Sequence, residues 1–136
     1  MTIDTEILRY RMGISAALMC LALNIYNEAR GEVLGGQQAV ALVTMNRAGW
    51  EPKRVCEEVH RPGQFSWTTG KQGPPKEKEA WDLALEVARD VMNRRVPDFT
   101  DGATFFHAKR VRPKWRHTEQ YVMTLGSHLF YKSSNK

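Results

Sequence analysis

The fold of this chain is decided by residues 15–32, which read SAALMCLALNIYNEARGE. Neither Pro nor Gly interrupts the stretch before Gly31, and its apolar side chains recur at the spacing of one helical face. They are Leu18, Leu21, Ala22, Ile25 and Ala29. Glu28 follows Ile25 by three positions and therefore lies on the same face. The stretch predicts a buried helix that points one carboxyl group at the core or at a cleft cut into it.

The chemistry of Glu28 follows from this placement. Removal from water is expected to raise the pKa of its carboxyl group, and so is the negative end of the helix dipole, because Gly31 is well placed to end the helix. A carboxyl group that is still protonated near neutral pH can act as a general acid. The alternative from these residues alone is a helix end whose Glu28 pairs with a distant arginine. Glu32 is expected to cap local amides or to pair with Arg30 or Arg47.

Composition limits the class of protein. With 136 residues, 42% of them hydrophobic and 26% charged, the chain has the size of one globular domain. Its net charge of +5 suits an anionic partner, which could be nucleic acid, a membrane surface or an acidic cell-wall polymer. Cys20 and Cys56 are expected as buried thiols, and an oxidising compartment would allow them to form one disulfide.

The apolar run at residues 12–26 follows two arginines, as the middle of a secretory signal would. It lacks a convincing cleavage site and continues directly into the acidic motif, and it is too short to span a bilayer. We therefore expect synthesis in a cytoplasm without a signal peptide, and no stable insertion into a membrane.

The remaining pattern predicts helices first and a small sheet last. Residues 3–12 predict a lead-in helix that is broken at Gly13. The other predicted helices cover residues 37–47, a short segment from Pro52, and about residues 76–95. Residues 103–107 and 127–131 are rich in β-formers and predict strands, joined by a basic segment at residues 109–117. The fold class is α+β, a mainly helical single domain with a small antiparallel sheet near the C-terminus.

Six motifs follow one another along the chain, at residues 21–32, 36–47, 63–67, 103–107, 113–115 and 126–131. In this order they resemble the catalytic domain of the SleB/CwlJ family of bacterial cell-wall hydrolases, known from spore cortex-lytic enzymes and phage endolysins. The resemblance covers about residues 20–131. It implies a catalytic domain with a cleft like that of lysozyme and lytic transglycosylases. We expect a single domain over residues 1–136, without the signal sequence or wall-binding module that usually precedes this family.

The resemblance also implies a reaction. Such enzymes cleave peptidoglycan between N-acetylmuramic acid and N-acetylglucosamine, and the first glutamate of their Glu-Ala-Arg-Gly-Glu motif, Glu28 here, is the catalytic acid. A lytic transglycosylase needs no second carboxylate, because the C6 hydroxyl of the muramic acid attacks its own anomeric carbon and leaves a 1,6-anhydro end. A chain without a signal or a wall-binding module is expected to be a phage endolysin, made in the host cytoplasm and acting at the cell wall.

Polar and aromatic side chains in the matched motifs are candidates for substrate binding, because sugar faces stack on rings and sugar hydroxyls take hydrogen bonds. The candidates are Gln64, Phe65, Ser66, Trp67, His107, Trp115 and Tyr131. Some also have a structural interpretation. Phe65 could pin its loop to the core, His107 could be a satisfied structural histidine, and Tyr131 and His128 could support the sheet.

Other activities make different demands on the sequence. A zinc amidase would need a compact ligand set, and His60, His107, His117 and His128 contain no close pair, so neither a metal nor a cofactor is expected. A hydrolytic muramidase would need a second carboxylate. Asp98, Asp101 and Glu119 are the candidates for it.

A nucleic-acid-binding module is the alternative from another class. The basic segment at residues 109–116 contains Trp115, and such a run could grip phosphates and stack a base. No recognition signature accompanies it, so no nucleic acid is expected. The expected partner is the peptidoglycan glycan strand, bound by a monomer.

Overall fold

The computed structural model describes residues 5–70 and 73–134, and for residues 5–15 the backbone alone. Along these residues, helices precede a small antiparallel sheet. The elements are α1 (Thr5–Ala29), α2 (Leu34–Arg47), α3 (Pro52–Val59), α4 (Lys78–Met92), β1 (Phe105–Ala108), β2 (Gln120–Leu125) and β3 (His128–Lys132), with short 3₁₀ helices at Ser66–Thr69 and Lys114–His117. The predicted α+β class and the positions of its helices are confirmed.

Helix α1 is longer than the sequence pattern indicated. It continues through Gly13, so the predicted break there is wrong, and residues 3 and 4 of the predicted lead-in helix lie outside the described residues. A glycine costs a helix only about 1 kcal/mol relative to alanine and does not by itself end one. The predicted stop at Gly31 is confirmed: α1 ends at Ala29, and Gly31 has a φ of 86°, which favours glycine. Within the described chain, no helix is both long and apolar enough to cross a membrane.

The larger hydrophobic cluster lies among the four helices. Leu21, Ala22 and Ile25 of α1 are fully buried there, against apolar side chains of α2, α3 and α4. One polar residue, Asn24, is also fully buried on this face. Its amide donates to the Thr44 hydroxyl at 3.2 Å and its carbonyl accepts from the indole N–H of Trp67 at 2.8 Å. These bonds satisfy the buried amide, as a polar group in a core requires.

A smaller cluster joins the sheet to the helices. Its buried members are Ala29, Ala39, Val40, Val43, Ala103 and Phe130. Ala29 comes from the last turn of α1, whereas Phe130 comes from the central strand of the sheet. Because Glu28 directly precedes Ala29, the packing of this cluster fixes the acid at the boundary between the helices and the sheet.

The sheet has the order β1-β3-β2, with both pairs antiparallel. The two predicted strands are confirmed as β1 and β3, which pair Phe105 with Tyr131 and His107 with Leu129. The sequence interpretation missed β2, although Tyr121, Val122 and Thr124 are β-formers and the two residues Gly126 and Ser127 connect it to β3 as a hairpin.

A disulfide joins α1 to α3. Cys20 and Cys56 are bonded, with their Cα atoms 5.3 Å apart, so the expectation of two thiols is wrong. The two positions are separated by 36 residues, and nothing in their local sequence shows that the helices bring them together. The bridge closes this loop beside the buried face that carries Leu21 and Asn24.

We predict that the bridge stabilises the domain mainly by restricting the unfolded chain. The double variant Cys20→Ser, Cys56→Ser should lose about 2–4 kcal/mol of unfolding free energy, as expected for a loop of this length. Urea unfolding with and without dithiothreitol measures the loss. The reductant should destabilise the wild type by a similar amount and leave the double variant unchanged; a wild type that is insensitive to full reduction would contradict the prediction.

Candidate active site

Glu28 opens into a cleft of about 740 Å³ between the end of α1 and the sheet. One wall is the loop at residues 63–66, and another consists of β1 with part of the basic segment that follows it. The turn between β2 and β3 contributes Ser127, and the start of β3 contributes His128. Helix, loop and sheet therefore meet around one carboxyl group, in a depression with the volume of a typical ligand-binding site.

The carboxyl group of Glu28 is partly exposed, and burial raises its pKa above the ordinary value of 4.5. The predicted rise is thus confirmed, and its cause is removal from water. Within the described residues, this carboxyl group has no hydrogen-bond or ion-pair partner, so the alternative of a distant arginine partner is wrong. An unpaired carboxyl group in a poorly hydrated cleft favours its neutral form, which can donate a proton.

Glu32 lines the same cleft but has the opposite chemistry. Its carboxylate accepts hydrogen bonds from the Ser127 hydroxyl and, at 2.9 Å, from the Ser127 backbone N–H. These two bonds hold the pKa of Glu32 below its usual value. The predicted pairing with Arg30 or Arg47 is wrong, and the amide that Glu32 caps is distant in sequence rather than local.

Gly126 makes this contact between Glu32 and the hairpin sterically feasible. Its φ is 55°, and a Cβ atom added there would lie 2.1 Å from a carboxylate oxygen of Glu32. A side chain at this position would therefore displace the carboxylate from Ser127. The glycine in the turn and the glutamate after α1 belong to one interaction that fixes the hairpin against the helix end.

Arg47 fixes two further walls of the cleft. Its guanidinium donates to the backbone carbonyl of Thr104 at 2.8 Å and to the side-chain oxygen of Gln64 at 2.9 Å. On the other side it pairs with the buried Glu58, Nε to Oε1, at 3.4 Å, and Arg61 binds the same carboxylate. From the sequence, Arg47 is expected only as a possible partner for Glu32. Its role as a bridge depends on contacts of long sequence separation, which no local pattern reveals.

The predicted substrate loop is divided between two places. Gln64 and the exposed Ser66 line the cleft, and Phe65 also borders it while its ring packs 5.9 Å from that of Phe106. Trp67 lines a second groove instead, and its indole N–H binds Asn24. The position of Phe65 agrees with its structural interpretation. Substrate contact by Gln64, Ser66 and Trp67 stays a prediction.

Two aromatic candidates on the sheet and one on the 3₁₀ helix Lys114–His117 form a connected group. His107 and Trp115 line the cleft, whereas Tyr131 is buried behind them and is not among the described lining residues. Nε2 of His107 and the Tyr131 hydroxyl are 3.1 Å apart, and the Trp115 and Tyr131 ring centroids are 5.1 Å apart. Tyr131 thus supports the two cleft residues. Direct sugar contact by any of the three stays a prediction.

The carboxylates proposed for a hydrolytic mechanism are engaged elsewhere. Asp98 accepts hydrogen bonds from Asn46, Thr100 and Gly102. Asp101 pairs with Lys132, and Glu119 accepts from the backbone N–H of Ser134. None of the three acids is among the described residues that line the cleft of Glu28. In the part of the chain that the structure describes, no three His, Cys, Asp or Glu side chains lie close enough together to hold a metal ion.

Comparison with known proteins decides the family. A family model described as cell wall hydrolase matches residues 31–131. The chain belongs to the cell wall hydrolase family. The match begins three residues after Glu28, so the role of Glu28 stays a prediction that rests on its motif and its surroundings.

Relatives in this family agree with the match. The spore cortex-lytic enzyme of Oceanobacillus iheyensis is 28% identical over 121 residues, which cover 85% of this chain and 41% of that protein. The catalytic domain of the germination-specific lytic transglycosylase SleB from Bacillus anthracis is similar in structure, with a TM-score of 0.63 and 28% identity over 85% of this chain and 93% of that one. The catalytic domain of the Bacillus cereus SleB protein gives a TM-score of 0.67 with 27% identity over 85% and 89%. These findings confirm the resemblance seen in the sequence motifs.

We predict that Arg47 contributes more to the unfolding free energy of the domain than Arg61, although both contact Glu58. Arg47→Met should lower the unfolding free energy by about 2–4 kcal/mol, because it leaves the carbonyl of Thr104, the amide of Gln64 and part of Glu58 without a donor. Arg61→Met removes a more exposed partner and should cost about 1 kcal/mol or less. Urea denaturation of both variants measures the difference. Equal losses of unfolding free energy would show that the contacts of Arg47 with Thr104 and Gln64 do not stabilise the domain.

Proposed function

We propose that this chain cleaves the glycan strands of peptidoglycan between N-acetylmuramic acid and N-acetylglucosamine, as a lytic transglycosylase whose catalytic acid is Glu28. The observation that carries the proposal is an unpaired carboxyl group, made a weaker acid by burial, in the lining of the cleft. Family membership and the likeness to SleB catalytic domains support the choice of substrate.

One carboxyl group is sufficient for this reaction. Glu28 donates its proton to the bridging oxygen as the bond from that oxygen to the anomeric carbon breaks. The C6 hydroxyl of the same muramic residue then bonds to the anomeric carbon and gives its proton back to Glu28. The proton that Glu28 gives up in the first step is thus returned in the second, and no water is consumed. Because the hydroxyl and the anomeric carbon belong to one sugar, the nucleophile has a high effective concentration.

The lining of the cleft fits this substrate. Rings of Phe105 and Trp115 lie 5.1 Å apart at one wall, and Arg110 adds a cation to the same wall. Aromatic surfaces can contact the apolar faces of sugars, whereas cations attract the carboxylates of muramic acid and its peptide. The basic segment can therefore serve the proposed substrate, without a nucleic-acid partner.

Hydrolysis is the second candidate reaction, because Glu32 is a second carboxylate in the cleft. Its lowered pKa keeps it ionised, as a base for water would have to be. Its oxygens already accept two hydrogen bonds from Ser127, and this occupation favours a structural role. Mass spectrometry of the released fragments separates the two reactions: transglycosylation leaves anhydro ends that are one water lighter than the reducing ends left by hydrolysis.

We also propose that the chain acts at the bacterial cell wall as an endolysin, made in the host cytoplasm and released through a lesion that another protein opens. The disulfide between Cys20 and Cys56 supports an oxidising place of action. Expression in a bacterial cytoplasm with and without a membrane-permeabilising protein tests this role. Lysis should require both.

We predict that Glu28→Gln removes the activity while retaining the fold. The amide keeps the size of the side chain but cannot donate a proton to the leaving oxygen, so the rate of sacculus solubilisation should fall by about 100-fold or more. Glu86→Gln, an exposed change on α4, is the matched control and should retain full activity. A Glu28→Gln protein that clears sacculi at the wild-type rate would overturn the assignment of the acid.

The pH dependence of stability gives a second test of Glu28. Its pKa is higher in the folded protein than the ordinary 4.5, so the folded state binds the proton more tightly. Unfolding free energy should therefore fall as pH rises from about 4.5 through the raised pKa of Glu28, and stay lower above it. The Glu28→Gln variant has no carboxyl group to titrate at this position. Its unfolding free energy should therefore rise relative to that of the wild type only at pH values above the raised pKa of Glu28. Urea unfolding of both proteins across pH measures the difference; a constant difference would show no raised pKa.

The same titration should appear in the kinetics. The protonated fraction of Glu28 sets the rate, so kcat/KM should decline as pH rises through the raised pKa.

A further inference from the structure

A second groove, of about 840 Å³, lies beside the cleft of Glu28. It is bounded by α1, by the 3₁₀ helix Ser66–Thr69 and by the chain that leads into α4. Asn27 and Arg30 line both depressions. Since these residues flank Glu28 in the last turn of α1, the groove joins the cleft at the catalytic acid.

The floor of the groove is apolar. Met19, with 43% of its surface exposed, and Leu23 come from α1, and Pro74 and Pro75 form part of the facing wall. Two aromatic residues of the groove use their polar atoms in hydrogen bonds within the protein. The indole N–H of Trp67 binds Asn24, and the Tyr26 hydroxyl accepts the backbone N–H groups of Lys76 and Glu77, each at 3.1 Å.

The charged side chains that line the groove are two cations, Arg30 and Lys76, and one anion, Glu77. The guanidinium of Arg30 lies 4.4 Å above the Tyr26 ring and pairs with Glu77 at 3.1 Å. The side chains of Arg30 and Glu77 are 41% and 62% exposed, and a pair so exposed is weak enough to exchange for another carboxylate. Lys76 adds a second exposed cation. A ligand that combines small apolar side chains with carboxylates matches this lining.

We propose that the groove binds the peptide stem of the muramic acid residue whose glycosidic bond Glu28 breaks. The inference rests on the proposed function, because it takes that residue to be seated at Glu28. The stem leaves this sugar through its lactyl ether and contains alanine methyl groups and free carboxylates. The apolar floor would contact the methyl groups, while Arg30 and Lys76 would bind the carboxylates. Additional sugars of the strand are the competing occupant, and N-acetylglucosamine offers no carboxylate to these two cations.

The test compares two soluble substrates made from one preparation of sacculi. An endopeptidase gives uncrosslinked strands that keep their stems, and further treatment of half the sample with an amidase gives bare strands. Bare strands retain the lactyl carboxylate beside the sugar, so the comparison isolates the stem. The wild type should cleave stem-bearing strands with a kcat/KM about fivefold or more above that for bare strands, as expected for one or two exposed charge contacts.

Matched variants then place the effect in the groove. Met19→Glu puts a negative charge on the floor, and Met19→Gln has the same shape without the charge. On stem-bearing strands, the glutamate variant should fall about fivefold below the glutamine variant, whereas on bare strands the two should be equal. Lys76→Glu and Lys76→Gln form a second pair at an exposed position. Melting temperatures within a few degrees of the wild type, as expected for surface changes, show that each variant is folded.

If the glutamate variants lose the same kcat/KM on both substrates, the groove binds sugars. If neither glutamate variant loses kcat/KM relative to its glutamine partner, the groove binds no part of the substrate. Both results would overturn the stem site and leave the proposed function of Glu28 intact. A wild type that cleaves neither substrate would overturn the proposed function and the stem site together. Loss on stem-bearing strands alone supports the site.

Discussion

Helix α1 packs into both hydrophobic clusters of the domain, and the position of the candidate acid follows from this double packing. Leu21 and Ile25 are buried among the helices, whereas Ala29, one turn later, is buried against the sheet. Glu28 lies where one environment gives way to the other, and Gly31 then turns the chain out of the helix. A carboxyl group at such a boundary loses much of its hydration without losing its access to a cleft. Its raised pKa is therefore a consequence of how the core is built.

Two glutamates four positions apart acquire opposite properties in this setting. Glu28 has no partner among the described residues and is desolvated, whereas Glu32 receives two hydrogen bonds from Ser127. The difference lies in the donors that surround each group and not in the residue type. Glu32 in turn holds the β2–β3 hairpin at the end of α1, so the ionised carboxylate shapes the cleft in which the neutral one would act.

The sequence was sufficient for the features that depend on local periodicity. The apolar face of α1, its end at Gly31, the burial of Glu28 and strands β1 and β3 all follow from patterns a few residues long. What it could not show depends on contacts between distant segments: the disulfide between α1 and α3, the bridge made by Arg47, and the contact of Glu32 with Ser127. The error at Gly13 has another cause, since one glycine is a weak helix breaker. Strand β2 had a local signal that the basic segment before it obscured.

In a basic chain, nearby cations could hold the candidate acid in its ionised form, and the arginines around the cleft have other partners. A free guanidinium beside Glu28 would stabilise the carboxylate and lower its pKa. Arg47 is instead committed to Glu58, Gln64 and the Thr104 carbonyl, whereas Arg30 lies over the Tyr26 ring in a weak, exposed pair with Glu77. Of the exposed cations, Lys109 acts on Glu32 and Arg110 on His128. The net charge of +5 is therefore compatible with a Glu28 carboxyl group whose pKa is raised by burial.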